Sequence, residues 1–195
     1  MQQVVWHIGE IVIKCGAITR AGPIDGRGAI TLFVQNIEKG RNRDKVRIGA
    51  KDAPDLLVSF HWSAAVSASG TAGLLVADST KKGTHGSLSP YDMHNTLVAA
   101  GPDFRSGFKD ELPTGNLDLA PTILWILGIK PPHSMDGRVL KEALIGLPAR
   151  KAKPEKRTLE ASCAGEHFRW RQYLKVSTIG KEDYFEEGNG ESVQK

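Results

Sequence analysis

The chain has 195 residues, 40% hydrophobic and 25% charged, with a formal net charge of +4 and a pI of about 9.1. At roughly 150 residues per domain this is about one domain, and its near-average composition excludes a collagen, a coiled coil and a wholly disordered chain. No apolar run approaches the ~18–20 residues of a membrane span, no basic secretory leader is expected at Met1-Gln2-Gln3, and Cys15 and Cys163 are too few for a disulfide scaffold and wrongly spaced for a zinc knuckle.

The first 50 residues form a poorly assignable segment. Val4 to Trp6 and Ile8 to Ile13 read as helix or strand, because short apolar runs do not decide by period. Gly16 and Gly22-Pro23 break the run, and Ala29 to Ile37 reads as a strand. The next stretch, 51–147, reads as an α/β core. Asp55 to Trp62 alternates Leu56, Val58, Phe60 and Trp62 on one face of a strand. Residues 63–82 are small and polar, a surface excursion. Gly83-Thr84-His85-Gly86-Ser87-Leu88-Ser89-Pro90 is a tight loop.

Asn95 to Ala100 reads as a strand ending at Gly101-Pro102. Leu119 to Leu127 reads as a helix with Pro121 in its first turn, Asp118 as N-cap and Gly128 as stop. Arg138 to Leu144 predicts a second short helix. Residues 148–157 read as a charged linker, 158–188 as a terminal β-hairpin or meander turning at Gly180-Lys181, and 189–195 as a frayed tail. Strand, loop, strand, helix and terminal β element together predict an α/β fold.

Few residues carry recognisable chemistry. His85, between Gly83 and Gly86, leaves an uncrowded imidazole suited to a divalent metal, yet one histidine is not a site, and local context alone favours an ordinary hydrogen-bonded turn. Asp92 and His94 point the same way if extended and could then bind one ion together, although hydrogen bonds to loop backbone around Met93 and Asn95 account for both. Asp103 reads as a loop residue, and Asp136 as the acceptor organising the Met135-Asp136-Gly137 turn. His7, His61, His133 and His167 stand alone. Basic stretches at 41–47 and 150–157 read as solvated loops, and no nucleic-acid-binding pattern accompanies them. There is no Gly-x-Ser-x-Gly elbow, phosphate-binding P-loop or His-Glu-x-x-His.

Four segments taken in order carry a resemblance: Gly83-Thr84-His85-Gly86; Asp92-Met93-His94-Asn95 through Asp103-Phe104; Asp118-Leu119-Ala120-Pro121-Thr122 with Leu127-Gly128-Ile129; and Met135-Asp136-Gly137-Arg138. Together they resemble the C-terminal part of the alkaline phosphatase superfamily, nearest its type I phosphodiesterase/nucleotide pyrophosphatase branch and more distantly its sulfatases. The likeness is strongest over residues 83–144. It implies the C-terminal portion of an α/β/α sandwich with a mainly parallel sheet, ending here in a β-hairpin. It also implies a two-metal hydrolase, usually with zinc, in which a metal-bound Ser or Thr attacks phosphorus.

By this resemblance His85 is a metal ligand. The family's nucleophile, its other ligands and its Asp-His-Gly motif find no counterpart in these residues. The resemblance therefore implies a segment that supplies one ligand and is inactive alone. Its phosphate or sulfate ester substrate binds only when the site is completed. An incomplete sheet leaves an open edge, so a complementary N-terminal chain or self-association is expected. The competing reading is a non-catalytic α/β binding or partner module that retains the family shell.

Overall fold

The computed structural model describes residues 4–8, 11–15, 30–31, 59–75, 87–131, 135–147, 152–164 and 168–194. The chain is mixed α/β, with few helices, and ends in a strand hairpin. It divides into two units: Met1–His94 with Thr158–Lys175 and Phe185–Lys195, and Asn95–Arg157 with Val176–Tyr184.

In the first unit, β1 (Val4–Ile8) pairs antiparallel with β2 (Ile11–Cys15), so both apolar runs are strands. β3 (Ile30–Thr31) pairs antiparallel with β4 (Ser59–Phe60). β5 (Trp62–Val66) and β6 (Ala72–Leu75) form an antiparallel hairpin with an irregular register between Ser63 and Val66. Residues 76–82 lie outside the described residues, and the described part of the expected excursion, residues 63–75, thus folds as a hairpin. Its turn is closed by Ser67 N–H to Thr71 O at 2.8 Å and by Ser67 Oγ accepting from Thr71 N–H at 3.0 Å. Small hydroxyl residues close such turns as readily as they line loops, so composition alone hid the strands.

A single helical turn, α1 (Pro90–Met93), is capped by Ser89, whose hydroxyl accepts from Tyr91 N–H. A 3-10 turn at Asn116–Asp118 leads into α2 (Leu119–Ile126). α2 ends as expected at Gly128, with φ of 65°. Gly128 N–H reaches Trp125 O at 3.1 Å and Ile129 N–H reaches Leu124 O at 2.9 Å, the two bonds of a Schellman cap. The expected second helix over 138–144 shrinks to a 3-10 turn, Lys141–Ala143. Leu140, with φ of −76° and ψ of 63°, leaves the helical region, and residues 138 and 140 give their amide hydrogens to the side chains of Asp118 and Thr122.

The expected strand over 95–100 is not formed, and every residue of it is exposed. Its run Leu97-Val98-Ala99-Ala100 is apolar on both faces. Such a strand needs neighbours on both sides and covering layers above and below.

The terminal sheet has the order β7-β8-β9, over Glu155–Ala164, Phe168–Ile179 and Glu182–Gln194. β8 and β9 are joined by the two-residue turn 180–181, which only an antiparallel pair permits. The linker therefore ends earlier than expected, since Glu155 to Arg157 already belong to β7. The end of the chain is β-strand as far as Gln194 rather than frayed from residue 189. Every register read among the described residues is antiparallel. A mainly parallel sheet between helical layers is not seen among them. The buried apolar residues of the second unit are Leu140, Leu144, Val176, Ile179 and Tyr184. No described helix is long and apolar enough to cross a membrane.

Candidate functional site

His85 and its glycines lie outside the described residues. Among the described residues that follow, the chain is tied to two other segments. Ser59 Oγ accepts from Leu88 N–H at 3.0 Å, and Leu88 O accepts from Gly188 N–H at 2.8 Å. Ser59, Ser87 and Ser89 are all buried, with their hydroxyls hydrogen-bonded. Burying three small hydroxyls rather than three apolar groups costs little when each finds a partner, and it fixes the backbone direction of the turn.

Asp92 serves this anchor. Its Oδ2 accepts from Ser87 N–H at 3.1 Å and from Ser87 Oγ at 2.7 Å. His94 reaches Glu186 through Nε2 at 3.1 Å, in an exposed pair. The backbone from Pro90 to Met93 is helical, so Asp92 and His94 do not converge as they would on an extended strand, and each meets a different partner. Asp103 is exposed and contributes its backbone O to Ile145 N–H at 2.9 Å. Asp136 is exposed, and its turn is formed by Gly137 at φ of 85°. His133 and His167 lie outside the described residues; Cys15 and Cys163 lie in β2 and β7.

The second unit holds the most connected polar cluster. Asp118 is 0% exposed. Its Oδ2 accepts from Gly115 N–H at 2.9 Å, and its Oδ1 accepts from Arg138 N–H at 2.8 Å and from the Tyr184 hydroxyl at 3.1 Å. It does not cap α2, as expected from sequence; it bonds backwards to Gly115 and across to two distant segments. The Arg138 guanidinium gives Nε–H to Tyr184 Oη at 3.1 Å and Nη2–H to Pro113 O at 3.0 Å, and pairs with Glu142 through Nη1. Thr122 Oγ1 accepts from Leu140 N–H at 3.0 Å.

Burial raises the Tyr184 phenol well above its ordinary value, and the Asp118 carboxylate adds to this. Burial lowers the Arg138 guanidinium, but the Glu142 carboxylate outweighs it and holds Arg138 above its usual value. In the first unit, burial and then the Glu187 carboxylate push Tyr173 up to about 12. Burial also acts upward on Glu187, but the Lys175 ammonium and the Tyr173 hydroxyl outweigh it and leave its carboxyl below the usual range.

These shifts fix a titration. Of the three tyrosines, Tyr173 and Tyr184 should remain neutral at pH about 11 while the chain is folded. For both groups the folded value lies above the unfolded one. Their stabilisation is complete below about pH 10 and is lost as pH rises beyond it. Ultraviolet difference absorbance during an alkaline titration should show these two phenolates appearing only together with unfolding. Two folded phenolates by pH about 10.5 would contradict the geometry.

His61 was singled out by no sequence signal. Its Nδ1 donates to Gly190 O at 2.8 Å, and the residue lines a surface cleft of about 400 Å³ with Glu160, Arg171 and Glu191. Trp62 reinforces the same strand, giving Nε1–H to Gly188 O at 2.8 Å, while its backbone O accepts from Asn189 Nδ2 at 2.8 Å. These bonds explain why the stretch after Gly188 is ordered as strand.

Among the described residues no group of three or more His, Cys, Asp or Glu could hold a metal ion. Asp92, His94 and Asp118 are each engaged with protein partners, so the described donors do not fit a two-metal centre. Comparison of the chain with protein-family models, with curated proteins and with solved structures finds no match.

Proposed function

We propose that the chain is the C-terminal segment of a metal-dependent hydrolase resembling the type I phosphodiesterase/nucleotide pyrophosphatase branch of the alkaline phosphatase superfamily. In this reading His85 is one metal ligand. The nucleophile, the remaining ligands and the parallel sheet of the α/β/α sandwich come from a complementary chain. Zinc or another divalent ion occupies only the completed centre.

The observation that carries the reading is the joining of two separated motif segments. Asp118 and Thr122, from the first, accept the backbone N–H groups of Arg138 and Leu140, in and just after the second. A spacing held by a buried clasp belongs to a folded shell.

The exposed surface of the second unit agrees with a missing sheet. Val98 is 83% exposed in an unpaired segment of strand-forming sequence. Leu119, Ile123 and Leu127 form an i, i+4, i+8 stripe on α2 and its cap that faces solvent. Helices with such a stripe cover a sheet or another helix.

Cobalt(II) titration of the purified chain tests the proposal. One weak site with a visible absorbance band, lost in His85→Ala, is the expected result, together with no hydrolysis of bis(p-nitrophenyl) phosphate. Hydrolysis abolished by His85→Ala would refute the view that the chain needs a complement. Absence of any His85-dependent site would leave the second reading, a non-catalytic α/β module. That reading is favoured by one specific observation, the engagement of Asp92, His94 and Asp118 in protein hydrogen bonds.

A further inference from the structure

The first unit carries a cleft that the hydrolase reading does not use. It lies wholly within that unit, lined by residues of β7, β8 and β9 together with His61. Its volume of about 400 Å³ falls in the range of small-ligand sites, roughly 300–1,000 Å³. Two of its lining residues are fixed by bonds to other parts of the unit. His61 gives Nδ1–H to Gly190 O at 2.8 Å, and Asn189 gives Nδ2–H to Trp62 O at 2.8 Å. A wall already held in place has little freedom to lose when a ligand arrives.

Three charged residues line the cleft: Glu160 on β7, Arg171 on β8 and Glu191 on β9. All three are exposed, and none makes an ion pair among the described residues. The cleft thus presents two carboxylates against one guanidinium. Among the described residues no group of His, Asp and Glu converges to hold a metal ion, so these carboxylates suit an organic cation.

The residue beside Arg171 adds an unanswered donor. Gln172 also lines the cleft and is only 5% exposed. Its Oε1 accepts from Trp170 Nε1–H at 3.0 Å, while its Nε2 is buried without an acceptor. A buried donor left without an acceptor is costly. The last torsion of a glutamine is broad, so the carboxamide can turn on its Trp170 bond to meet an oxygen brought into the cleft.

The complement to these groups is a molecule with one carboxylate and two cationic nitrogens. The carboxylate takes the forked donors of Arg171 and the spare donor of Gln172. The two cations take the two glutamates. A free α-amino acid with a basic side chain carries this set and no other charge. A basic residue ending a peptide does not, because its α-nitrogen is a neutral amide. We infer that the cleft binds a free basic α-amino acid in this orientation. The inference is independent of His85 and of any metal.

Titration of the ¹⁵N-labelled full chain with L-arginine, followed by backbone amide NMR, is the test. Saturable shifts should centre on residues 160–162, 171–173 and 189–191. Agmatine lacks the carboxylate and L-alanine lacks the second cation. Each should bind at least about tenfold more weakly than L-arginine, the scale of one lost hydrogen-bonded charge. Arg171→Gln should weaken L-arginine about tenfold and should not weaken agmatine. Agmatine binding as well as L-arginine would reveal a plain acidic patch, and L-alanine binding as well would leave a glutamate without a role. Either result overturns the inference, as do shifts centred elsewhere or no saturation below about 10 mM. Should Arg171→Gln fail to fold, the wild-type ligand series decides alone.

Discussion

Asp118→Ala is expected to unfold most of the second unit, at a cost of about 3–5 kcal/mol, the range for removing one partner from a buried charge network. Three donors lose their acceptor at once: Gly115 N–H, Arg138 N–H and the Tyr184 hydroxyl. No solvent replaces it, because the residue is fully buried. Asp118→Asn separates the contributions. The amide oxygen can keep Arg138 and Tyr184, but its NH₂ then faces the Gly115 N–H, two donors without an acceptor, for about 1–3 kcal/mol. Urea unfolding followed by backbone amide NMR distinguishes the two variants. A midpoint for Asp118→Ala within about 1 kcal/mol of wild type would show that the cluster is not what holds the unit together. The same experiment bears on chemistry, because a carboxylate kept to bind an ion destabilises the ion-free fold and its removal leaves stability unchanged or higher.

What the sequence made legible was local. α2 was readable because its periodic apolar residues, Pro121 and Gly128 all act within one or two turns of the helix, and the cap bonds from Gly128 and Ile129 are equally short-range. The final hairpin was readable because Gly180-Lys181 sits between alternating runs. The failures share a cause. Residues 95–100 have the composition of a strand, but a strand exists only with a neighbour, and the stretch carries no strand in the structure. Asp118 stands where a helix cap belongs, while its main partners lie 20 and 66 residues away, beyond any local pattern. Of the candidate site, Asp92 was legible as a loop residue, but Ser87, a partner of its carboxylate, lies five residues back rather than around Met93 and Asn95. The His94 partner, Glu186, was not legible.

Gly137→Ala is expected to disrupt the same unit from the opposite side, by roughly 3 kcal/mol or more, because strain in a left-handed conformation and overpacking add. Gly137 has φ of 85°, and a Cβ there would stand 2.3 Å from the Leu117 backbone O. That oxygen cannot retreat cheaply. Leu117 lies inside the 3-10 turn Asn116–Asp118, so displacing it also displaces the Asp118 carboxylate from Arg138 and Tyr184. Gly107 and Gly128 supply the control, since they have φ of 64° and 65° with open space where a Cβ would go. Alanine at either should cost only about 1–2 kcal/mol, the penalty of the left-handed backbone itself. The distinction is testable by coupling. If Gly137→Ala acts by pushing Leu117 and loosening Asp118, its cost should shrink by at least about 0.5 kcal/mol in an Asp118→Asn background, as expected for residues in one network. Gly128→Ala should simply add. A Gly137→Ala cost equal to that of Gly107→Ala, or strict additivity with Asp118→Asn, would show that the turn at 135–138 and the clasp at Asp118 are mechanically independent. The two motif segments would then not be held together by one buried knot.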